Sequence, residues 1–335
     1  MEIDVNVFKK IAVLASALLL VAEFCAGSAF ATSSSSNTMA PVSSLAKLKQ
    51  ALAKSIKQQK LPVNLTPSIS RLSSNVYAIQ GSAWLRSSCD PYVVNSEAQN
   101  PVPCWYGSTS AKHTVVVFGD SFVGNWIPAL SEAGIALGFK VAEFSFLGCN
   151  TPFVIPSAGP GFGESEVKAC IIFHNNLPKA VNKLDPVAVI AADGAPSWGS
   201  AGNLRFISGL DTAFNEMSTT TNHPIRILMG SGPHISEAAP SCLAIHPNNI
   251  NRCNFTYSAG SDFSTTLSRD EASVRGAKVL LIPTYQWLCL RETCPVVIGN
   301  IDVYADKDHL TVPISLYLSV LLEKALAPLL SATTS

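Results

Sequence analysis

Two short motifs in this sequence carry residues whose types could combine in nucleophilic catalysis. In Thr114–Asn125, TVVVFGDSFVGN, an apolar β-branched run stops at a GDS triplet that contains Ser121. In Tyr304–Thr311, YADKDHLT, Asp306 and His309 are three residues apart, a spacing at which side chains in a turn or first helical coil can share a face. A histidine held by a carboxylate through one ring nitrogen can accept a serine proton with the other. Together the motifs predict a triad of a serine nucleophile, a histidine base and an orienting aspartate.

Each motif also has an ordinary structural explanation. Glycine, aspartate and serine are common in turns for conformational reasons, and His309 could be a surface residue ahead of a helix. Asp308 is a second candidate for the orienting acid, although its adjacency to His309 gives poorer geometry. His234, in the loop GSGPH, could reach the same site or could be a satisfied structural histidine. The sequence shows no phosphate-binding loop and no metal-ligand cluster, so neither a cofactor nor a metal is expected.

The two motifs are far apart in sequence, so a fold has to bring them together. From Thr114 onward, apolar strand candidates alternate with amphipathic helix candidates, which predicts a parallel sheet covered by helices on both faces. Right-handed crossovers then place the carboxyl end of every strand on one edge, where open α/β sheets bind ligands and where Ser121 would lie. The strand candidates are Thr114–Phe118, Lys140–Phe146, Pro186–Ala192, Ile225–Met229 and Lys278–Pro283. The helix candidates are Asn125–Leu137, Ile172–Leu184, Asn203–Ser218, Asp262–Arg275 and Pro313–Leu326.

The composition favours a globular protein without a nucleic-acid partner. The chain has 335 residues, 47% of them apolar, which is enough for a sizeable core. Basic and acidic residues number 23 each, so no net charge is available to attract a polyanion.

The amino terminus has the three parts of a secretory signal peptide. Two lysines precede an apolar run, Ile11–Ala22, and Ala29–Ala31 supplies an A-x-A cleavage pattern. An uncleaved membrane anchor is the alternative, although the run is short for a span and Glu23 interrupts it. We therefore expect an exported protein, secreted or held in the periplasm or cell envelope.

The chain divides into four segments on this interpretation. Residues 1–31 form the signal peptide, residues 32–44 a flexible Ser/Thr-rich tether, residues 45–110 an N-terminal helix with a disulfide-stapled lead-in, and residues 111–330 the catalytic domain. The N-terminal helix, Leu45–Lys60, is basic and amphipathic. Such a helix can lie on an anionic membrane, but the pattern is more typical of a surface helix packed on its own domain.

The cysteines agree with export. Cys25 lies in the signal region and should be lost, which leaves eight, an even count typical of disulfides in an exported protein. A zinc site is the competing interpretation, but the sequence contains no C-x-x-C pair. Pairing by proximity gives Cys89–Cys104, Cys149–Cys170, Cys242–Cys253 and Cys289–Cys294.

Taken together, the motifs resemble the SGNH (GDSL-type) hydrolase family. More narrowly, the chain is similar to the extracytoplasmic SGNH domain often fused to membrane-bound acyltransferases that modify bacterial surface polysaccharides. The similarity covers roughly Ser88 to Leu330. The matching features are Phe118–Ser121, Leu147–Cys149, Pro233 with Pro240–Leu243, the Cys289/Cys294 pair and Tyr304–Thr311.

This resemblance implies a three-layer α/β/α, flavodoxin-like fold with a five-stranded parallel sheet. It maps Ser121 onto the nucleophile, Asp306 and His309 onto its partners, and the N–H groups of Ser121 and Gly148 onto the oxyanion hole. In one place the sequence departs from the family. The third of the short sequence motifs that define the family normally supplies an asparagine to the oxyanion hole. The corresponding loop here reads Ala192-Asp193-Gly194. An ionised aspartate there would repel an oxyanion, so the Gly194 N–H or Asn150 would have to substitute, or the enzyme would be slow.

Three functional hypotheses remain open at this stage. The first is an exported serine-dependent carbohydrate esterase or O-acyltransferase acting on O-acyl groups of a glycan, with a membrane acyltransferase as a partner. The second is a glycan-binding accessory protein with a degenerate site, which the missing asparagine motivates. The third is a lipase-like enzyme whose apolar loop, Phe153–Ile155 with Gly159–Phe162, lines a groove for long acyl chains.

Overall fold

The structure, a computed structural model, describes residues 39–74, 98–155, 157–158, 162–194 and 199–331. The predicted signal peptide, most of the predicted tether, and Cys89 of the predicted Cys89–Cys104 pair lie outside these residues. The strands are β1 Cys104–Gly107, β2 His113–Gly119, β3 Phe139–Ser145, β4 Ala188–Ala192, β5 Ile225–Met229, β6 Phe255–Thr256, β7 Leu280–Ile282, β8 Thr293–Cys294, β9 Val297–Ile298 and β10 Ile301–Asp302. The helices are α1 Leu45–Ser55, α2 Ile69–Ser74, α3 Val123–Leu137, α4 Glu164–Asn182, α5 Gly199–Glu216, α6 Ala239–Ile245, α7 Asp262–Gly276, α8 Tyr285–Leu288 and α9 Val312–Ser331.

The central sheet has six strands in the order β1-β3-β2-β4-β5-β7. Five of them run parallel, in the order β3-β2-β4-β5-β7, which is the strand order of a flavodoxin-like sheet. The predicted α/β/α class is therefore confirmed. The five-strand count needs a correction, because β1 pairs antiparallel with β3 along its outer edge. The sequence CWYG of β1 is too short to show alternation, and it lies in the segment interpreted as a stapled loop.

The alternation of side chains along β2 builds both layers of the core. Successive residues of a strand point to opposite faces of the sheet. Val115 and Val117 join the apolar cluster formed with α3 and α9, whereas Val116 and Phe118 join the cluster formed with α4 and α5. All four side chains are at most 1% exposed. Because β2 is buried on both sides, its carboxyl end is a rigid place from which to present a side chain.

The last helix, α9, is the longest of the described elements and is strongly apolar. By length and composition it could cross a membrane, but half of it is buried inside the protein. It packs along α3, where the Ser315 hydroxyl accepts a hydrogen bond from the Ala129 N–H at 3.2 Å. This burial is what a core helix of a globular domain requires.

The N-terminal helix α1 packs on the same domain. Leu48 and Leu52 are fully buried in the cluster that contains α3 and α9, and Ser44 caps the first turn by accepting from the Lys47 N–H. The helix ends at Ser55, five residues before the predicted end at Lys60. Packing, rather than an exposed apolar face, thus accounts for its amphipathic pattern.

Three disulfides are present among the described residues, and all three join predicted pairs. They are Cys149–Cys170, Cys242–Cys253 and Cys289–Cys294. The first ties the loop after β3 to α4, and the other two brace the loops that follow β5 and α8. Each of these loops emerges at or beside the carboxyl edge of the sheet.

Candidate active site

Ser121 stands in a tight turn between β2 and α3. The preceding Gly119 has φ +152°, and a Cβ atom there would lie 1.8 Å from the Ala192 carbonyl oxygen, so only glycine fits between β2 and β4. Within the turn, the buried Asp120 carboxylate accepts from the Phe122 N–H at 2.9 Å. The sequence GDS therefore forms a fixed corner that leaves the Ser121 side chain half-exposed at the carboxyl edge of the sheet.

The structure brings the three predicted triad residues together. His309 Nε2 lies 2.8 Å from Ser121 Oγ, and His309 Nδ1 lies 2.8 Å from Asp306 Oδ2. A carboxylate can only accept, so the Nδ1–H donates to Asp306, which leaves Nε2 to exchange a proton with the serine. The chain separation between Ser121 and His309 is 188 residues, so this contact is a product of the fold.

Asp306 also builds the turn that presents His309. Its Oδ1 accepts from the N–H groups of Asp308 and His309, at 2.9 and 2.8 Å. The next N–H, of Leu310, donates at 2.8 Å to Oδ1 of Asn125, a buried side chain on α3. The histidine turn is thereby fastened to the helix that begins at the serine. Sequence reasoning missed Asn125, whose only signal is a polar residue on the buried face of an amphipathic helix.

A second carboxylate and a second histidine adjoin the triad. Asp308 Oδ1 lies 3.1 Å from His309 Nδ1, and its Oδ2 lies 2.9 Å from His234 Nδ1. His234 Nε2 lies 2.9 Å from the Gly194 carbonyl oxygen. Both partners of His234 are acceptors, so the imidazolium, in which both ring nitrogens donate, is the form that satisfies both contacts. Burial opposes this charge, but the hydrogen bond and charge of Asp308 outweigh burial and raise the pKa of His234.

The ring of Phe122 packs against both histidines. Its centroid lies 5.1 Å from that of His309 and 5.6 Å from that of His234. A Cβ atom at Gly194 would come within 2.0 Å of the same ring. The residue after Ser121 therefore fixes the orientation of both imidazoles and requires a glycine at the end of β4.

The two carboxylates strongly favour the charged form of His309. Burial alone would lower its pKa, but hydrogen bonds to Asp306 and Asp308 and their charges raise the pKa to about 10. The pKa of Asp308 lies far below its usual range: burial raises it, but the hydrogen bonds from the two histidines prevail. At neutral pH the resting His309 is therefore mostly protonated, and the fraction able to accept a proton grows as the pH rises.

The oxyanion donors expected from the sequence fall into two groups. Among the described residues the N–H groups of Ser121 and Gly148 donate to no other group, so they remain available. The Gly194 N–H does not: it donates to both carboxylate oxygens of Asp120, at 3.3 and 3.1 Å. The expectation that Gly194 completes the hole is therefore wrong, because a buried carboxylate occupies its only donor. The Asn150 side chain makes no hydrogen bond in the described part of the chain, which leaves it as the remaining substitute.

Asp193, which replaces the expected asparagine, belongs to a buried polar network. It is 4% exposed, and its carboxylate accepts from the Thr151 N–H. The Thr151 hydroxyl in turn donates to the Ala192 carbonyl at 2.7 Å. Burial and then the charge of Asp193 raise the pKa of Asp120 well above its usual range. The loop after β4 thus carries a carboxylate pair directly beneath the serine turn.

A buried ion pair positions the loop that carries His234. Arg269 and Asp270, on α7, are bonded at 2.8 Å and are each 2% exposed. Asp270 accepts from the Ser231 N–H at 2.8 Å, and Arg269 donates to the Ser231 hydroxyl at 3.0 Å. The Arg269 guanidinium lies 3.7 Å above the ring of Phe206. Sequence reasoning did not find this network, since its members come from three separate elements.

Within the described ranges, two groups of side chains have the composition of metal ligands. One consists of Cys149, Cys170 and His174, but its two sulfurs form a disulfide. The other consists of Asp306, Asp308 and His309. Their mutual hydrogen bonds already account for this second arrangement.

Comparison with known proteins places these features in context. A family model described as "SGNH domain (fused to AT3 domains)" matches residues 89–324. The periplasmic domain of a lipopolysaccharide acetyltransferase from Salmonella ser. Paratyphi A is 18% identical, with a TM-score of 0.53 over 65% of this chain and 85% of that one. Est24, a carbohydrate acetylesterase from Sinorhizobium meliloti, is 14% identical over 65% of this chain and 99% of that one, with a TM-score of 0.39, too low to support an argument. No curated protein gives a significant match in sequence.

Proposed function

Because the chain belongs to the family of SGNH domains that are fused to AT3 domains, and is an SGNH-type ester hydrolase or acyltransferase, we propose a narrower role for it. It is an exported enzyme that forms an acyl-serine at Ser121. Its substrates are O-acyl groups, chiefly O-acetyl groups, of a cell-surface or extracellular glycan.

The observation that carries the proposal is the hydrogen-bonded line from Ser121 through His309 to Asp306. Both links measure 2.8 Å, the length expected of charge-assisted or catalytic hydrogen bonds. The N–H groups of Ser121 and Gly148 are unengaged among the described residues, which supplies two donors for a developing oxyanion.

The reaction follows from these positions. Neutral His309 accepts the Ser121 proton at Nε2 while Oγ attacks the ester carbonyl carbon, and the carbonyl oxygen becomes an oxyanion. The imidazolium, held by Asp306, then gives this proton to the sugar oxygen as the tetrahedral intermediate collapses. The carbonyl re-forms, the ester C–O bond to the sugar breaks, and the acyl-serine and a free sugar hydroxyl remain. Water or a second sugar hydroxyl attacks the acyl-serine in the same way, with His309 again accepting and returning one proton.

The disulfides and the family support an extracytoplasmic location. Three disulfides among the described residues are typical of proteins that mature outside the cytosol. The fusion of related domains to AT3 domains supports a membrane acyltransferase as the partner that supplies acyl groups. The lipopolysaccharide acetyltransferase origin of the similar periplasmic domain supports a glycan as acceptor.

Covalent labelling provides the decisive test. The purified protein is treated with a fluorophosphonate and is then assayed with p-nitrophenyl acetate and with an O-acetylated glycan. We expect a single adduct on Ser121 and acetate release that Ser121→Ala abolishes. Ser268→Ala, at an exposed serine of α7, is the matched control. The proposal fails if the wild type carries no adduct and releases no acetate, or if Ser121→Ala is as active as the wild type.

A glycan-binding accessory protein is the second candidate. The observation in its favour is the Gly194 N–H, which is bonded to Asp120 in a chain that already lacks the asparagine of the third family motif. Saturable glycan binding that survives Ser121→Ala, together with no turnover and no fluorophosphonate adduct, would establish this alternative.

A further inference from the structure

A cavity of about 430 Å³ adjoins the loop that carries His234. Its walls are formed by Phe255–Ser258, which follows the Cys242–Cys253 disulfide, and by the first turn of α7 from Ser261. His234 completes the lining. The volume falls in the range of about 300–1,000 Å³ that is usual for small-molecule sites.

Two aromatic rings with nearly parallel planes line this cavity. Phe255 and Tyr257 are two residues apart on extended chain and so project to the same side. Their ring planes differ by 23° and their centroids are 6.3 Å apart. The buried ring of Phe263 packs edge-on against both, at 5.9 and 4.9 Å. The Tyr257 hydroxyl donates to the Arg291 carbonyl at 3.1 Å, which holds the ring in place.

The surface is fixed before any ligand arrives. Strand β6, which carries Phe255, pairs antiparallel with β8. Two disulfides brace this pair of strands: Cys242–Cys253 precedes β6, and Cys289–Cys294 joins the last residue of β8 to the chain before it. A platform held this way loses little conformational entropy on binding, which favours affinity.

The rim of the cavity is polar. Thr256, Ser258 and Asp262 are exposed and line the cavity, so hydroxyl and carboxylate groups surround the two half-buried rings. A sugar ring is complementary to these groups. Its C–H face can pack on the electron-rich face of an aromatic ring, and its hydroxyls can form hydrogen bonds with the polar rim.

The cavity is connected to the serine through one side chain. His234 lines the cavity, bonds to Asp308 at 2.9 Å, and through that carboxylate adjoins His309. Both ring nitrogens of His234 are engaged within the protein, so it offers the cavity a ring surface rather than a hydrogen bond.

We propose that this cavity is the subsite for a sugar ring of the acylated carbohydrate, with Phe255 and Tyr257 as the stacking surface. The inference rests on the proposed function and names the part of the substrate that this chain recognises. It predicts that a sugar contributes to catalysis only when these rings are present.

The test compares two substrates in Tyr257→Ala and Phe255→Ala. The ratio of kcat/KM for a defined O-acetylated oligosaccharide to kcat/KM for p-nitrophenyl acetate is expected to fall at least about tenfold, mainly through KM, in each variant. Tyr257→Phe keeps the ring and loses only its hydrogen bond to Arg291, so its ratio is expected to stay within about threefold of the wild-type value. Thermal melting of each variant shows that it is folded.

Trp105→Ala is the matched control. Trp105 is 40% exposed on β1, at the opposite edge of the sheet, with Lys140 Nζ 5.2 Å from its ring. This variant is expected to leave both rates unchanged. The inference is overturned if Tyr257→Ala leaves the ratio unchanged or if Trp105→Ala lowers it equally. It is also overturned if Tyr257→Ala reduces activity only on long-chain p-nitrophenyl esters, because the cavity would then bind acyl chains.

Failure of the inference is distinguishable from failure of the proposed function. An enzyme that hydrolyses p-nitrophenyl acetate with an unchanged ratio in the variants refutes the subsite alone. A wild type that hydrolyses neither ester refutes the function. In that case calorimetric titration with the deacetylated oligosaccharide still tests the subsite, since Tyr257→Ala must weaken binding at least about tenfold for it to stand.

Discussion

Replacing His234 by glutamine removes a positive charge from the immediate surroundings of the proposed base. In the wild type, the His234 imidazolium is paired with Asp308, which also contacts His309. The charge of His309 lowers the pKa of His234, and because repulsion between two positive charges is mutual, the charge of His234 opposes protonation of His309. Glutamine can still donate a hydrogen bond to Asp308 but carries no charge. The pKa of His309 should therefore rise above its already high value, and the acid limb of the kcat/KM profile should move to higher pH.

The size of the shift follows from the geometry. One carboxylate bridges the two rings, with contacts of 2.9 and 3.1 Å, so the two positive charges lie about 7 Å apart and interact by about 2.4 kcal/mol at an effective dielectric constant of about 20. The His234 side chain is 39% exposed, so solvent screening reduces this by about half. The limb should therefore move by about one pH unit.

The assay is the pH dependence of kcat/KM for p-nitrophenyl acetate across neutral and alkaline pH, corrected for spontaneous hydrolysis. Asp308→Asn is the opposing control, because it removes a negative charge in direct contact with His309. The limb should move to lower pH, although the accompanying fall in the pKa of His234, which Asp308 raises, offsets part of the shift. The remaining charged neighbours, Asp306 and Asp120, are the same in both variants. Limbs that coincide with that of the wild type, or that move in the same direction in both variants, would refute this reasoning.

Three further predictions concern the surroundings of the site. Asn150→Ala should lower kcat about a hundredfold if its amide completes the oxyanion hole, and a loss under about threefold in a steady-state assay would exclude that role. Replacing Cys149 and Cys170 by alanine opens a loop with a sequence separation of 21 and should lower the free energy of unfolding by about 3 kcal/mol, measured in urea against the unreduced wild type. Burial raises the pKa of Glu143 from 4.5 to about 7 despite a hydrogen bond from Ser145, so the folded state favours the protonated acid and loses stability as the pH rises from 4.5 to about 7. Glu143→Gln should therefore stabilise the protein above that range by about 3 kcal/mol and much less below it, and equal effects in denaturant titrations at both ends would contradict the assignment.

The parallel strands were predictable because the central ones, β2 and β4, are apolar runs buried on both faces, and the others repeat the alternation of strand with helix. Ile225–Met229 was predicted with its observed bounds, and Thr114–Phe118 lies one residue inside each end of β2. The edge strand β1 was not predictable in this way. Its four residues, CWYG, show no alternation, and their strand conformation depends on pairing with β3. A local pattern reports burial, whereas an edge pairing depends on a distant partner.

The same distinction applies to the site. Ser121, Asp306 and His309 were found because each belongs to a short motif whose residue types are sufficient to suggest its chemistry. The roles of His234 and Gly194 depend on where the loops after β4 and β5 meet. Their position at the carboxyl edge was predictable from strand order, but the direction of the Gly194 N–H was not. The Gly194 N–H points towards Asp120 because a buried carboxylate requires hydrogen-bond donors.

The carboxylate pair beneath the serine turn explains how an aspartate can occupy the position where the family resemblance implies asparagine. Burial and the charge of Asp193 raise the pKa of Asp120 well above its usual range, so the pair retains a proton at pH values where an isolated carboxylate is ionised. Two adjacent full charges under Ser121 would oppose an oxyanion, and the raised pKa of Asp120 disfavours that doubly charged state. The Thr151 N–H and the Gly194 N–H stabilise the charge that remains. Asp193 is therefore compatible with acyl transfer at Ser121. The consequence is that the Gly194 N–H donates to Asp120 and does not stabilise the oxyanion.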